Sequence, residues 1–279
     1  MEHLAFSVLM SVYTQENPRY LKEALNSLFA NTVLPKEIVI VKDGTLNEEL
    51  EKTLASFSEN PIVRIVGYEK NQGLGYALNY GLRFCTCPIV ARMDSDDLSS
   101  SDRFEKQIAL METGEYDLIG SNTVEFIDTP ENPLSYRYMP ETPEEIRLYS
   151  KKRNPFIHPS VMFRKDKVLE AGSYLTALYF EDYYLWIRLL NKGARCYNIQ
   201  ENLVYMRVSP DFYKRRGGIR YARHMRHFFA LVKKENYFTK KEYLATYLPR
   251  MVVSLSPNFI RKRFYAKKLR SAERKGTDS

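Results

Sequence analysis

The chain of 279 residues contains no uncharged apolar run approaching the ~20 residues a helix needs to cross a bilayer. The expected protein is therefore cytosolic, or attached to a membrane from its cytosolic face. Cysteine is scarce: Cys85, Cys87 and Cys196 are an odd set without a second closely spaced pair. That excludes a disulfide framework and points to a reducing compartment, with buried thiols and not a metal expected at Cys85 and Cys87. The apolar start up to Tyr13 lacks a basic leader and a small-residue cleavage site, so it reads as a first strand, not a signal peptide. Also missing is the Gly-x-Gly-x-x-Gly that a dinucleotide-binding oxidoreductase carries after that strand, where Tyr13-Thr14-Gln15-Glu16 stands instead. No internal repeat or low-complexity tract is present.

What is present is an ordinary globular composition, 44% hydrophobic and 27% charged, in a chain long enough to bury a sizeable core. The net charge of +8 is unevenly placed. Residues 211–279 hold 19 Lys and Arg against 5 Asp and Glu, a net of +14, which leaves 23 against 29, or −6, in residues 1–210. A basic tail is an interaction surface for phosphates, nucleic acid or an anionic membrane. An acidic body would repel a polyanion, so a basic-tail nucleic-acid-binding protein is the weakest reading and no nucleic acid is expected as partner.

Strand and helix signals alternate through the first hundred residues. Residues 6–12 are β-rich, and Asn17-Pro18 reads as N-cap and first residue of a helix carrying Leu21, Ala24, Leu25, Leu28 and Phe29 at helical spacing. Residues 38–41 form a continuous apolar strand closed by Lys42-Asp43-Gly44. A helix with Leu50, Leu54 and Phe57 follows, then a strand over 62–68, a helix after Asn71-Gln72-Gly73, and a strand over 89–93. This pattern predicts an α/β fold with a mostly parallel, Rossmann-like sheet flanked by helices. Ligands of such sheets bind beyond the carboxyl ends of the strands. That places Val12, Tyr13, Asp43, Asn71, Gly73 and the segment from Arg92 to Asp97 along one rim.

In Arg92-Met93-Asp94-Ser95-Asp96-Asp97 three carboxylates fall within four residues. Charges so close raise one another's pKa unless a cation or hydrogen-bond donors neutralise them. A hard divalent ion is one partner for such a group, and an acidic turn capping the helix that begins near Asp102 is the alternative.

Prolines 130, 133, 140 and 143 mark the passage to a second half. There, residues 154–164 carry Pro155 and Pro159, which restrict them to a loop or sheet edge. His158 is the one histidine in a polar, turn-rich setting, open to a structural or a metal-ligating role. Glu181 and Asp182 open a helix with Leu185, Trp186, Leu189 and Leu190 on its inner side. Carboxylates there complement the helix dipole, and at the border of a cleft one of them is also a natural general base. Strands are expected over 195–199 and 203–208. The tail shows two basic amphipathic helices, one with Tyr221, Met225, Phe228, Phe229 and Val232, the other with Phe259, Ile260, Phe264, Tyr265 and Leu269. Such helices lie in an anionic membrane interface or pack on the core.

Taken in order, Ser7-Val8-Leu9-Met10-Ser11-Val12-Tyr13, Val41-Lys42-Asp43-Gly44, Asn71-Gln72-Gly73-Leu74-Gly75-Tyr76-Ala77-Leu78-Asn79, Asp94-Ser95-Asp96-Asp97 and Glu181-Asp182-Tyr183-Tyr184-Leu185-Trp186 resemble family 2 glycosyltransferases of the GT-A fold. His158-Pro159-Ser160 resembles the members that build bacterial exopolysaccharide, capsule or O-antigen. The resemblance implies inverting transfer of one hexose-type sugar from a nucleotide-sugar donor, UDP by family habit with GDP or dTDP as alternatives, to a saccharide or lipid-linked acceptor. It implies Tyr13 and Asp43 at the base, Asp96 at the ribose and diphosphate, and Asp97 on Mg2+ or Mn2+, with Asp96 and His158 as further candidate ligands. Asp182 would be the general base, and Glu181 would orient the acceptor. It implies a nucleotide-sugar-binding half over 1–128 and an acceptor-binding half over 129–210; the charge and spacing of the tail add a basic helical segment over 211–279, expected in peripheral contact with the inner membrane through 211–275 or packed on the core. A catalytically silent relative that only binds sugar nucleotide is the alternative. Two departures stand out: no second acidic residue lies beside Asp43, and the Gln-x-x-Arg-Trp stretch of processive members is absent.

Overall fold

The computed structural model describes residues 3–208 and 217–256. Strand β1 (Phe6–Val12), helix α1 (Pro18–Phe29), β2 (Glu37–Asp43), α2 (Glu48–Ala55), β3 (Val63–Tyr68), α3 (Leu74–Leu82) and β4 (Ile89–Arg92) alternate as the sequence predicts. Asn17 caps α1 by accepting from Arg19 N. The four strands are parallel in the order β3-β2-β1-β4, so chain order reverses between β1 and β4. Successive side chains of a strand face opposite sides of a sheet. Accordingly Leu9, Val39 and Val41 enter one core, while Phe6, Val8, Met10, Ile38 and Ile40 enter the other.

Close approach of α3 to the sheet depends on Gly81. A Cβ there would stand 2.5 Å from Leu9 Cδ1 and 2.6 Å from Val41 Cγ2. Gly81→Ala is therefore expected to destabilise the fold by about 1–3 kcal/mol through overpacking. The check is urea unfolding, where the midpoint should fall with an unchanged slope.

The chain continues through β5 (Leu98–Ser99), α4 (Arg103–Glu112), β6 (Leu118–Phe126), β7 (Pro133–Arg137), α5 (Pro143–Ser150), a 3-10 turn (His158–Ser160), β8 (Met162–Arg164), α6 (Lys165–Glu170), α7 (Glu181–Asn191) and β9 (Cys196–Arg207). The same sheet extends from β4 through β8, β6, β9 and β5, with β7 on β6. Two expectations are corrected here. Residues 162–164 lie inside the sheet, antiparallel to both β4 and β6, because the two prolines precede the strand and interrupt none of its ladder. The strands expected over 195–199 and 203–208 are one strand, β9, that absorbs register shifts against β6 at Ser121, Asn122 and Thr123.

Two helices follow, α8 (Gly218–Lys234) and α9 (Lys240–Leu255). The apolar side of α8 belongs to the core: Phe228 stacks on Phe180 at 4.7 Å, and Tyr221, Met225, Phe229 and Val232 are buried with it. Those side chains are thus unavailable to a membrane. The helix expected around Phe259 lies outside the described residues.

Candidate active site

The rim at the carboxyl ends of β1, β2 and β4 gathers the first group of residues. Val12 is buried at the end of β1, and Tyr13 is partly exposed just beyond it. Asp43 ends β2 and fixes the entry to α3. Its Oδ1 accepts from Tyr68 Oη (2.9 Å) and Gln72 N (2.7 Å), and its Oδ2 from Asn71 Nδ2 (3.0 Å) and Gly73 N (3.0 Å). Four donors fill the lone pairs of a carboxylate. A ligand N–H reaches Asp43 only by displacing one of them. Gly44 makes this meeting of loops feasible, since it has φ +87 and a Cβ there would lie 2.6 Å from Asn71 N. Lys42 is engaged elsewhere, 2.9 Å from Glu51.

At the end of β4, carboxyl oxygens of Asp94, Asp96 and Asp97 all lie within 4.8 Å of one another. Burial first, then its neighbours Asp94 and Glu16, push Asp96 up to about 7. Burial, Asp96 and Asp94 hold Asp97 well above the usual carboxylate range. Asp97 Oδ1 accepts from Arg207 N (2.8 Å), and the Arg207 guanidinium donates to the carbonyl of Asp96 (3.1 Å) and to Glu23 (2.7 Å). Arg92 is fully buried and bonds Asp94 through Nη2, but its Nε and Nη1 have no partner. The cluster does not cap a helix: α4 starts at Arg103 after Asp102, whose side chain makes no cap hydrogen bond. Crowded hard oxygen donors with too little neutralising charge are the chemistry that fits a divalent ion.

His158 stands apart from that group. Its Nε2 lies 2.9 Å from Tyr174 Oη, and its ring packs 5.9 Å from Trp186. Burial and the nearby Arg92 charge hold it well below the usual imidazole range, so it is neutral.

Glu181 and Asp182 begin α7 and face a cleft of about 720 Å³ walled by α5, α7, α8 and α9. Asp182 Oδ2 accepts from Asn154 Nδ2 (2.6 Å), and its Oδ1 accepts from Tyr183 N (2.7 Å). The side chain of Glu181 lies against Gly75, where a Cβ would come within 3.0 Å of its Cγ, and so joins the acidic helix start to the start of α3. Burial pushes Glu181 up to about 7, with the charge of Asp182 adding to it. Tyr179, which also lines the cleft, has φ +72, a strained conformation for a residue with a side chain.

Several contributors escape a reading of the sequence. Asn154 and Arg207 act only through long-range contacts with Asp182 and Asp97. The run Lys151-Lys152-Arg153 offered a signal, since Lys152 and Arg153 line the cleft.

The model of "Glycosyl transferase family 2" matches residues 7–171. A protein from Escherichia coli, described as UDP-Gal:alpha-D-GlcNAc-diphosphoundecaprenol beta-1,3-galactosyltransferase, is 37% identical over 95% of this chain and 96% of its own. An amylovoran biosynthesis glycosyltransferase from Erwinia amylovora is 42% identical over 77% of this chain and 81% of its own. Among solved structures, a mannosyltransferase from Pyrobaculum calidifontis in complex with GDP-Man and Mn2+ superposes with a TM-score of 0.67 at 15% identity, over 95% of this chain and 80% of that one.

Proposed function

The chain belongs to glycosyl transferase family 2 and has the GT-A fold, and from that premise we propose that it is an inverting, metal-dependent glycosyltransferase of cell-surface polysaccharide assembly. It moves one sugar from a UDP-sugar to a sugar carried on a diphospholipid. The acceptor class follows the relative that covers nearly the whole chain. The observation that carries the reading is the pair of acidic sites: a crowded carboxylate cluster at the β1/β4 reversal, and a separate carboxylate, Asp182, on a cleft.

In this reading residues 1–128 hold the donor, 129–210 form the acceptor side, and the helices from 211 onward complete the acceptor cleft. Tyr13 lies at the base, and the Asp43 loop with Asn71 and Gly73 shapes its pocket. Asp96 and Asp97 hold Mg2+ or Mn2+, with Asp94 steadied by Arg92. When bound, the ion supplies positive charge to the departing diphosphate. Asp182 takes the proton of the acceptor hydroxyl as the oxygen bonds to the anomeric carbon. The bond from that carbon to the diphosphate oxygen breaks, and its electron pair leaves with UDP. Asn154 holds Asp182 in place. Because the Escherichia coli relative acts on a sugar linked to a lipid diphosphate, we place the protein at the membrane surface on its cytosolic side. Among the described residues no helix is long and apolar enough to cross a membrane.

The test incubates the protein with UDP-, GDP- and dTDP-sugars and an N-acetylglucosaminyl diphospholipid, with Mn2+ or with EDTA. One UDP-sugar should give product of inverted configuration, in the presence of metal alone. Failure of every sugar nucleotide to bind under all metal conditions would sink the proposal.

A further inference from the structure

Helix α9 presents different chemistry on its several sides. Thr246, Pro249, Arg250 and Val253 line the cleft beside Asp182. Tyr243, Tyr247 and Met251 rest on the core. Away from both, Leu244, Leu248, Val252 and Leu255 are 51%, 54%, 69% and 55% exposed. Their spacing of four, four and three residues keeps them on one helical face. An exposed row of four large aliphatic side chains goes beyond the single hydrophobics scattered over most surfaces. The helix is firmly seated, because Thr239 and Glu242 form a capping box, Thr246 Oγ1 donates to Lys151 O (2.7 Å) and Arg250 Nη2 to Lys152 O (2.9 Å).

The charge around the row indicates what covers it. Residues 217–256 hold 8 Lys and Arg against 2 Glu, a net of +6, with Lys240 and Lys241 exposed at the start of α9 and Arg220, Arg223 and Arg226 on the outer side of α8. Apolar side chains flanked by cations suit the interface of an anionic bilayer, where the former enter the acyl boundary and the latter meet lipid phosphates. On the cleft side Arg250, Arg153 and Lys152 share a wall with Glu181 and Asp182. Guanidinium groups are suited to phosphate oxygens, and a carboxylate to a sugar hydroxyl. Pro249 adds a further polar group, since it offers no N–H to the carbonyl of Ala245, and both residues line the cleft. One helix diameter, about 10 Å, separates the two sides of α9, so the cleft stands clear of a surface on which the row rests.

Building on the acceptor class given above, we propose that α9 docks the enzyme on its substrate. The row Leu244, Leu248, Val252 and Leu255 sits in the interface of an anionic bilayer, while Arg250 and Arg153 hold the diphosphate of the lipid-linked acceptor with its sugar at Asp182.

The test uses the full chain and vesicles of phosphatidylcholine, alone or with phosphatidylglycerol. Wild type should sediment with the anionic vesicles and at least about tenfold less with the neutral ones. Leu248→Ser with Val252→Ser should lower that binding at least about tenfold and leave the UDP-sugar affinity unchanged. Arg250→Gln should keep vesicle binding and raise KM about tenfold for a water-soluble, short-chain sugar diphosphate, but not for the alkyl glycoside without phosphate, and Arg250→Lys should recover part of the loss. Wild type that ignores anionic vesicles, or a double variant that binds them equally, overturns the docking. So does a wild-type dimer that the double variant dissolves, because the row then faces a second copy. Equal impairment of Arg250→Gln on both acceptors overturns the diphosphate contact. Absence of donor binding in wild type would remove the functional reading, and the diphosphate contact with it, whereas the vesicle measurements judge the docking by themselves.

Discussion

Asp182→Asn is expected to lower turnover by about 10²–10⁴-fold while leaving UDP-sugar affinity unchanged, the range lost when a positioned general base is removed. Asparagine retains an oxygen for Tyr183 N, which donates to Asp182 at 2.7 Å, so the helix start is preserved, while its amide nitrogen replaces the oxygen that accepts from Asn154 Nδ2 and that hydrogen bond is lost together with the proton acceptor. Glu181 provides the contrast. Its carboxyl, pushed up to about 7, charges as the pH rises through that value, and a second negative charge beside Asp182 helps it draw the hydroxyl proton. The wild-type rate should therefore climb between about pH 6 and 8, and Glu181→Gln should flatten that limb near its low-pH level. Stability should move oppositely. A carboxyl held above its ordinary value in the folded state contributes fully below 4.5, and that contribution is lost as the pH rises towards about 7. Rate against pH for the three proteins, with donor binding by calorimetry, decides the matter. An Asp182→Asn enzyme with more than a tenth of wild-type turnover would move the base elsewhere.

Asp97→Asn should lower donor affinity in Mn2+ by about 100-fold or more, to the level wild type shows in EDTA, and chelation should then have no further effect. A second readout does not depend on turnover. Three carboxylates within 4.8 Å repel one another, so neutralising one should raise the thermal midpoint in EDTA above that of wild type. Added Mn2+ should raise the wild-type midpoint and leave that of the variant unmoved, because an ion that binds the folded state stabilises it by mass action. Asparagine can still accept from Arg207 N, so the link to β9 survives the change. A variant midpoint that still rises with Mn2+ would shift the ion to other ligands.

From β1 to β4 every strand and helix was legible, because each is specified by its own neighbours: Asn17-Pro18 by capping, 38–41 by an unbroken apolar run, Leu21 to Leu28 by helical spacing; β5, two residues long and made by pairing with distant β9, was not. Past residue 150 legibility fell. Two prolines pointed to a loop or an edge where β8 lies in the middle of the sheet, and the two strands expected over 195–199 and 203–208 are one, β9, which shifts register against β6. The partners that decide those cases lie far away along the chain. His158 shows the same limit: its setting allowed a ligand or a structural role, and its neighbours Tyr174 and Trp186 and its place in the wall of the cleft come only from the fold.

The amino-acid order alone determined which chemistry the chain carries: three aspartates after a buried strand, a carboxylate pair opening a helix, a basic tail following an acidic body. These are properties of short stretches, and any fold with strands and helices in those places inherits them. Only the tertiary structure decided how the groups are used. Asp43 is filled by four donors because the end of β2 meets the loop before α3. Asp182 faces a cleft because α9, a helix not anticipated from the sequence, is seated against the 151–154 turn; the apolar side of α8 is enclosed, while α9 keeps an apolar row outside. Amphipathicity states that a helix has an apolar side. What meets that side depends on where the rest of the chain comes to lie.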